Sequence, residues 1–189
     1  MKETEHKGIL HKEIKKLADT NPEFHRISSM LLDHFLMCIL TVPLGILFFV
    51  IAIQFEQNPT KFTGMILFSI PMFIYMNKDF LRGKSLAKRI LGYQIVDFKT
   101  NQSASELQCF LRNLTLICWP LEVIVGFINP QRRIGDFIAN TKVIVSNKEK
   151  LNSVWDDSKR IRLKINFIGI LIVGGLYFYG LALLFLEIN

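Results

Sequence analysis

Asp33 is the residue around which any chemistry in this chain must be built. From Ile27 to Ile53 the ionisable residues are Asp33 and His34. At ~1.5 Å rise per residue that stretch is long enough to cross a ~30 Å hydrocarbon core. A carboxylate there is expensive, and an intramembrane acid is a functional candidate by default. It can take up a proton or a cation, or it can neutralise a buried base. Arg26 lies seven residues earlier on nearly the same helix face, an axial gap of ~10.5 Å. Contact within one helix is marginal at that distance, so Asp33 needs a partner from elsewhere in the chain.

Arg112 and Glu122 raise the same question in the third apolar run. They read as side chains that snorkel to the interface, or as groups completing a polar cluster around Asp33. Gly83-Lys84-Ser85 suggests a phosphate loop, but the full motif needs glycine five positions before Gly83, where Lys78 stands. Cys38, Cys109 and Cys118 sit in apolar runs without C-x-x-C spacing, so neither a disulfide framework nor a metal site is indicated. His6, His11 and His25 have no ligand-like spacing, and His34 reads as a hydrogen-bonded structural histidine rather than a proton relay. With no nucleophile–base pair, metal spacing or cofactor loop, the expectation is a non-enzyme without cofactors.

The elements that must position these residues are mostly membrane helices. Half of the 189 residues are hydrophobic, 16 are Phe, and the formal net charge is +7. The bases flank apolar runs, which reads as loops facing anionic lipid headgroups rather than nucleic acid. Residues 1–23 form a charged N-terminal segment, too polar for a secretory signal. Leu10, Ile14 and Leu17 recur there as in a helix lying on the membrane surface, the rival being a solvated tail. The first span holds Pro43 and Gly45 as expected bend points, and a short turn over 56–61 leads to a second span at Phe62–Met76.

Lys78–Glu106 is basic. It predicts a short helix over Ser85–Leu91, with Leu86 and Ile90 inward, Lys84 and Lys88 outward, and Gly92 as its stop. A strand follows at Tyr93–Asp97, whose natural partner is Thr141–Val145. Leu107–Ile128 has the length of a span but carries Arg112, Glu122 and Trp119-Pro120. Basic clusters precede and follow it, which favours a re-entrant hairpin bent near Pro120 over a fourth crossing. Residues 147–163 read as a polar linker. The final helix, within 164–189, carries Gly169, Gly174, Gly175 and Gly180, which permit close helix packing. Its basic leading flank places the C-terminus outside. The expected architecture is mainly α: a polytopic protein of the cytoplasmic (inner) membrane, N-terminus cytoplasmic. It has three or four transmembrane helices and a small basic cytoplasmic module with one strand pair.

Three separated blocks, in order, carry a resemblance. Arg26 with Asp33, the run from Gly83 to Gly92, and the run from Arg133 to Thr141 together resemble the RDD family of membrane proteins. The resemblance covers Phe24–Ser146 and leaves the final span outside. That family is named for one arginine and two aspartates, which map here to Arg26, Asp33 and Asp136. Ala87 departs from the glycine common at its position. The resemblance implies transport of small ligands, with sodium–proton exchange among the associated activities.

Two expectations follow for Arg26, Asp33 and Asp136, with Arg112, Glu122, Lys84, Lys88 and Arg133 in support. In one, the protein transports a small ion or ligand in the manner of a cation/proton exchanger, with Asp33 as the intramembrane site. Three or four spans leave little room for a pathway, so this implies a homo-oligomer or a membrane-protein partner. In the other, it is a non-transporting scaffold or accessory subunit, and the three residues form a structural polar clamp.

Overall fold

The computed structural model describes residues 22–55, 60–129, 131–159 and 165–187. The surface helix expected around Leu10, Ile14 and Leu17 lies outside the described residues, as do the turn at 56–59 and the side chain of Arg26. The chain folds as α1 (Pro22–Phe55), α2 (Lys61–Met76), α3 (Leu86–Leu91), β1 (Tyr93–Asp97), α4 (Glu106–Asn113), a 3-10 turn (Leu114–Cys118), α5 (Trp119–Ile128), α6 (Ile134–Ile138), β2 (Thr141–Val145), α7 (Ser153–Lys159) and α8 (Ile165–Glu187).

Helix α1 runs through Pro43 without a break in its assignment. Helix α2 is capped at its start by Thr60 and at its end by Asn77, whose side chain donates to the Phe73 carbonyl at 2.8 Å. It packs antiparallel to α1, with Gly45 beside Pro71 and the Tyr75 hydroxyl 2.7 Å from His34 Nδ1. Helix α8 closes the other side of α2. Gly174 lets Phe73 and Phe110 approach so closely that a Cβ there would stand 2.7 Å from the Phe73 ring. Gly169 sits against Leu107, whereas Gly175 and Gly180 face open space.

Among the described residues three stretches are long and apolar enough to cross a membrane: Ile27–Gln54, Glu106–Ile128 and Ile165–Leu184. The middle one does not run straight. Its first arm, α4, enters along the start of α8, with Glu106 bonded to Asn166 and Phe110 packed on Ile170. The 3-10 turn reverses it where Leu116 packs on Met37 and Tyr75. Its second arm, α5, returns antiparallel to α1: Trp119 stacks on His34, Gly126 meets Met30, and Phe127 meets Phe24. Both arms therefore open at the end of the bundle where α1 and α8 begin. The turn reaches only about ten residues into the α1 span, roughly 15 Å. Pro120 stands in the first turn of α5, where its missing N–H is not needed.

The two strands pair antiparallel as expected, Tyr93 opposite Val145 and Asp97 opposite Thr141. They are joined not by a tight hairpin but by the whole re-entrant segment and α6. Gly92, at φ 80, ends α3 and leaves no room for a side chain against Ser146. Gly83, at φ 66, sits so close to β1 that a Cβ would stand 2.5 Å from the Ile95 carbonyl oxygen.

The burial of α3 is the reverse of the expected one. Lys84, Lys88 and Arg89 are 8%, 3% and 1% exposed, while Leu86 and Ile90 are each 41% exposed. The polar-out rule holds for a helix in water. Helix α3 lies among the ends of apolar helices, where lipid takes the side chains that water would reject. The charges turn inward because only other protein groups can satisfy them. Residues 147–163 also depart from a plain linker, since α7 forms within them and is held by ion pairs.

Candidate functional site: a buried chain of alternating charges

The charged side chains of the site are delivered by separate parts of the chain: α1, the turn after α2, α3, α4, α5 and α6 with its N-cap. Asp33 comes from one turn of α1 and is 3% exposed. It accepts from the Ser85 hydroxyl and from the Lys88 ammonium. Ser85 has a second role as the N-cap of α3, accepting the Lys88 amide at 3.2 Å. The same ammonium donates to Asp79 Oδ1 at 2.8 Å and lies 3.2 Å from Ser85 Oγ. Lys88 Nζ is thus cradled by three oxygens from three elements: Asp33 Oδ2, Asp79 Oδ1 and Ser85 Oγ.

Asp79 passes the chain onward. Its other oxygen accepts from Arg112 at 3.1 Å and from Asn113 at 3.2 Å. Burial alone would raise the Asp79 carboxyl, but the Lys88 and Arg112 cations outweigh it and hold it far below the usual carboxylate range. Arg112 then forks onto Asp136, Nε to Oδ1 at 2.8 Å and Nη2 to Oδ2 at 3.1 Å. That planar two-point grip is the geometry in which a guanidinium binds a carboxylate best. Asp136 also accepts from Thr141 Oγ1 at 2.7 Å and from the Arg133 amide at 3.2 Å.

A last segment ties in α5. Arg133 Nη2 donates to Asn113 Oδ1 at 2.7 Å, and Arg133 Nε lies 3.1 Å from Glu122 Oε2 without aiming its N–H at that oxygen. Glu122 Oε1 takes the Gly135 amide at 2.9 Å. Gly135 is obligatory at this crossing, since a Cβ would stand 1.9 Å from the Arg112 carbonyl oxygen. Arg112, Asp79, Asp136 and Glu122 are all 0% exposed. The chain alternates in sign: Asp33, Lys88, Asp79, Arg112, Asp136, with Arg133 and Glu122 as a branch. Four carboxylates face three cations, and Lys78 stands beside them as a fourth. Burial pulls the Lys78 ammonium down to about 8, against the opposing pull of Asp33.

This arrangement gathers most of the residues singled out from sequence. Asp33 and Asp136 share one network although they do not touch. Arg112 and Glu122 lie at its centre rather than snorkelling to the interface. Lys88 and Arg133 are members. Lys84 is not: it bonds Glu149 at 2.6 Å in a second cluster, where Arg89 holds Glu149 and Asp157. Arg26 contributes a backbone position in α1 and no described side chain. The described partners of Asp33 come from α3 and its N-cap. Asp79 and Asn113 were missed by sequence reasoning. Asp79 hides in a basic segment, and its one signal is its place just past the end of an apolar helix. Among the described residues no group of three His, Cys, Asp or Glu side chains is arranged to hold a metal ion.

The model of the RDD family matches residues 22–187. The chain belongs to the RDD family. The match runs through α8, beyond the Phe24–Ser146 stretch on which the resemblance rests, so the final helix is part of the RDD region. Comparison with curated proteins and with solved structures finds no significant match. Asp33 and Asp136, the two aspartates to which the resemblance maps the family's name, cap the two ends of the main charge chain. Ala87, where glycine is common in the family, is fully buried, so a small side chain still serves there. This RDD protein is a helical membrane protein whose ionisable groups are concentrated at one end of its bundle.

Proposed function

We propose that the protein exchanges a small monovalent cation for protons across the membrane. Asp33, Asp79 and Ser85 are the cation ligands, and Lys88 is the resident cation that fills the site between turnovers. The observation that carries this reading is the three-oxygen cradle around Lys88 Nζ. Two carboxylates and a hydroxyl surround a single positive charge, an oxygen donor set suited to a hard cation. Replacing the ammonium by a metal cation leaves the charge of the pocket unchanged. Entry of one cation with departure of one proton keeps the cradle's charge constant, so one proton moves for each cation admitted. The other half of the network, Arg112 with Asp136, Arg133 and Glu122, fixes the geometry. The reading is that of a carrier, not of an enzyme, and a second copy of the chain supplies the remaining walls of the pathway. The basic residues around the module favour its cytoplasmic placement, and with it the N-terminus, in an inner membrane.

The test is purified protein in sealed liposomes carrying a pH-sensitive dye. Addition of sodium, potassium or lithium should drive proton movement in wild type. Asp33→Asn should fold, because Lys88 keeps Asp79 as its counter-ion, yet lose that movement. Wild-type protein silent with all three cations would defeat the carrier reading and leave the scaffold. The scaffold is favoured by one observation of its own: each charge in the network is matched by an opposite one, and together they bind α1, α3, α4, α5 and α6. Orientation has a separate check. Single cysteines at Asn101 and Asn147, in a background lacking Cys38, Cys109 and Cys118, should both be shielded from an impermeant reagent in intact cells. One at Thr60 should label. Labelling of Asn101 and Asn147 from opposite sides would contradict the re-entrant arrangement in the membrane.

A further inference from the structure

A cleft of about 530 Å³ opens beside the charge network without belonging to it. Leu40 of α1, Ile74 of α2 and Leu86 of α3 form its apolar wall, and Lys78, Lys84 and Arg89 line its polar end. The size is that of an ordinary small-ligand site. Two features limit what can fill it. The wall is continuous with the lipid-facing surface, since Leu40, Ile74 and Leu86 are 55%, 37% and 41% exposed. An occupant therefore enters sideways from the bilayer and must be apolar along most of its length. The polar end is cationic. Lys84 and Arg89, with Arg82, share two carboxylates, Glu149 and Asp157. Lys78 has no carboxylate within ion-pair distance among the described residues, only the Tyr75 ring at 5.0 Å. Lys78, Lys84 and Arg89 line the polar end and none of its lining residues is a carboxylate, so the end presents cations to an occupant.

We infer that this cleft holds one phospholipid with an anionic headgroup, an acyl chain lying along Leu40, Ile74 and Leu86 and the phosphate at Lys78. The lipid fits both constraints at once: it is apolar where the wall is apolar and negative where the cleft is positive. It also brings a direct counter-ion to Lys78, which among the described residues feels Asp33 and Asp79 only from beyond ion-pair distance. Burial draws Lys78 down to about 8, and a phosphate at its ammonium would push it back up.

Native mass spectrometry of the full-length protein, released from mixed micelles of phosphatidylglycerol and phosphatidylcholine with identical chains, tests the assignment. One phosphatidylglycerol should stay bound, preferred over phosphatidylcholine by about fivefold, the effect of one interfacial lysine. Lys78→Gln should abolish the preference, Lys78→Arg should keep it, and Leu86→Trp should displace the lipid by filling the wall. Leu86→Trp alters an exposed position, so folding is retained even if Lys78→Gln fails to accumulate. Equal retention of both lipids by wild type would overturn the inference. So would unchanged retention in Leu86→Trp, which would put the headgroup on the surface and not the chain in the cleft. Competition by free glycerol phosphate would also overturn it, by showing that the anion binds without its chain.

Discussion

Helix α3 feeds two charge clusters from one short stretch, and they differ in what surrounds them. Lys88 points inward to Asp33 and Asp79, whose side chains are 4% and 0% exposed. Lys84 and Arg89 point to Glu149 and Asp157, which are 30% and 10% exposed. In the inner cluster water cannot replace a lost partner. In the rim cluster it can. The inner chain is therefore a framework in which a lost cation is not replaced by solvent, whereas the rim is a latch holding α7 and screened by salt.

Arg112→Met should give the largest loss, roughly 3–5 kcal/mol, because it removes the cation shared by Asp79 and Asp136, leaving Asp79 to Lys88 and Asp136 to the Arg133 guanidinium at 3.8 Å. Thermal unfolding in detergent checks it against Arg89→Met, expected at about 1.5–3 kcal/mol for lost hydrogen bonds to charged groups. Equal losses would erase the distinction between the clusters. Gly135→Ala comes next at about 1–3 kcal/mol. A methyl group there must push the Arg112 carbonyl away and spread the two arms of the re-entrant segment. Glu149→Gln should cost about 1 kcal/mol or less and should lose its effect in high salt. Limited proteolysis near α7 would report it better than a melt.

The acid dependence of the rim follows in sign. Burial would raise Glu149, but bonds from Lys84 and Ser153 and the Arg89 charge lower it. The latch is then fully present above the ordinary glutamate range and weakens as pH falls through the lowered value. Lys78 acts in the same direction but in an alkaline window. Its folded value of about 8 lies under that of an exposed lysine, so stability should rise with pH from about 8 upward in detergent free of anionic lipid. Lys78→Met should flatten that slope.

Much of the architecture was legible because it rests on local pattern. The strands at Tyr93–Asp97 and Thr141–Val145, the stop at Gly92 and the long apolar runs follow from composition and spacing alone. The re-entrant reading came from the basic flanks rather than from the apolar run itself, which has the length of a span. What was not legible is the orientation of α3. Pattern gives two faces, but only the surrounding solvent decides which one is buried, and lipid reverses the choice that water makes. The site was half visible for the same reason. Asp33, Arg112 and Glu122 are conspicuous because they interrupt apolar runs. Asp79 interrupts nothing, though it touches both Lys88 and Arg112.

The charge chain also imposes an order on how the protein is made. Asp33 leaves the ribosome 55 residues ahead of Lys88, and Arg112 leaves 24 ahead of Asp136. Each must wait near the membrane surface, or take up a proton in the case of the acid, until its partner emerges. The last members to be synthesised are Asp136 and Thr141, so the network can close before α8 exists. A nascent chain stalled before Arg133 would hold Arg112 paired with Asp79 but with its fork for Asp136 empty, a handle for membrane quality control.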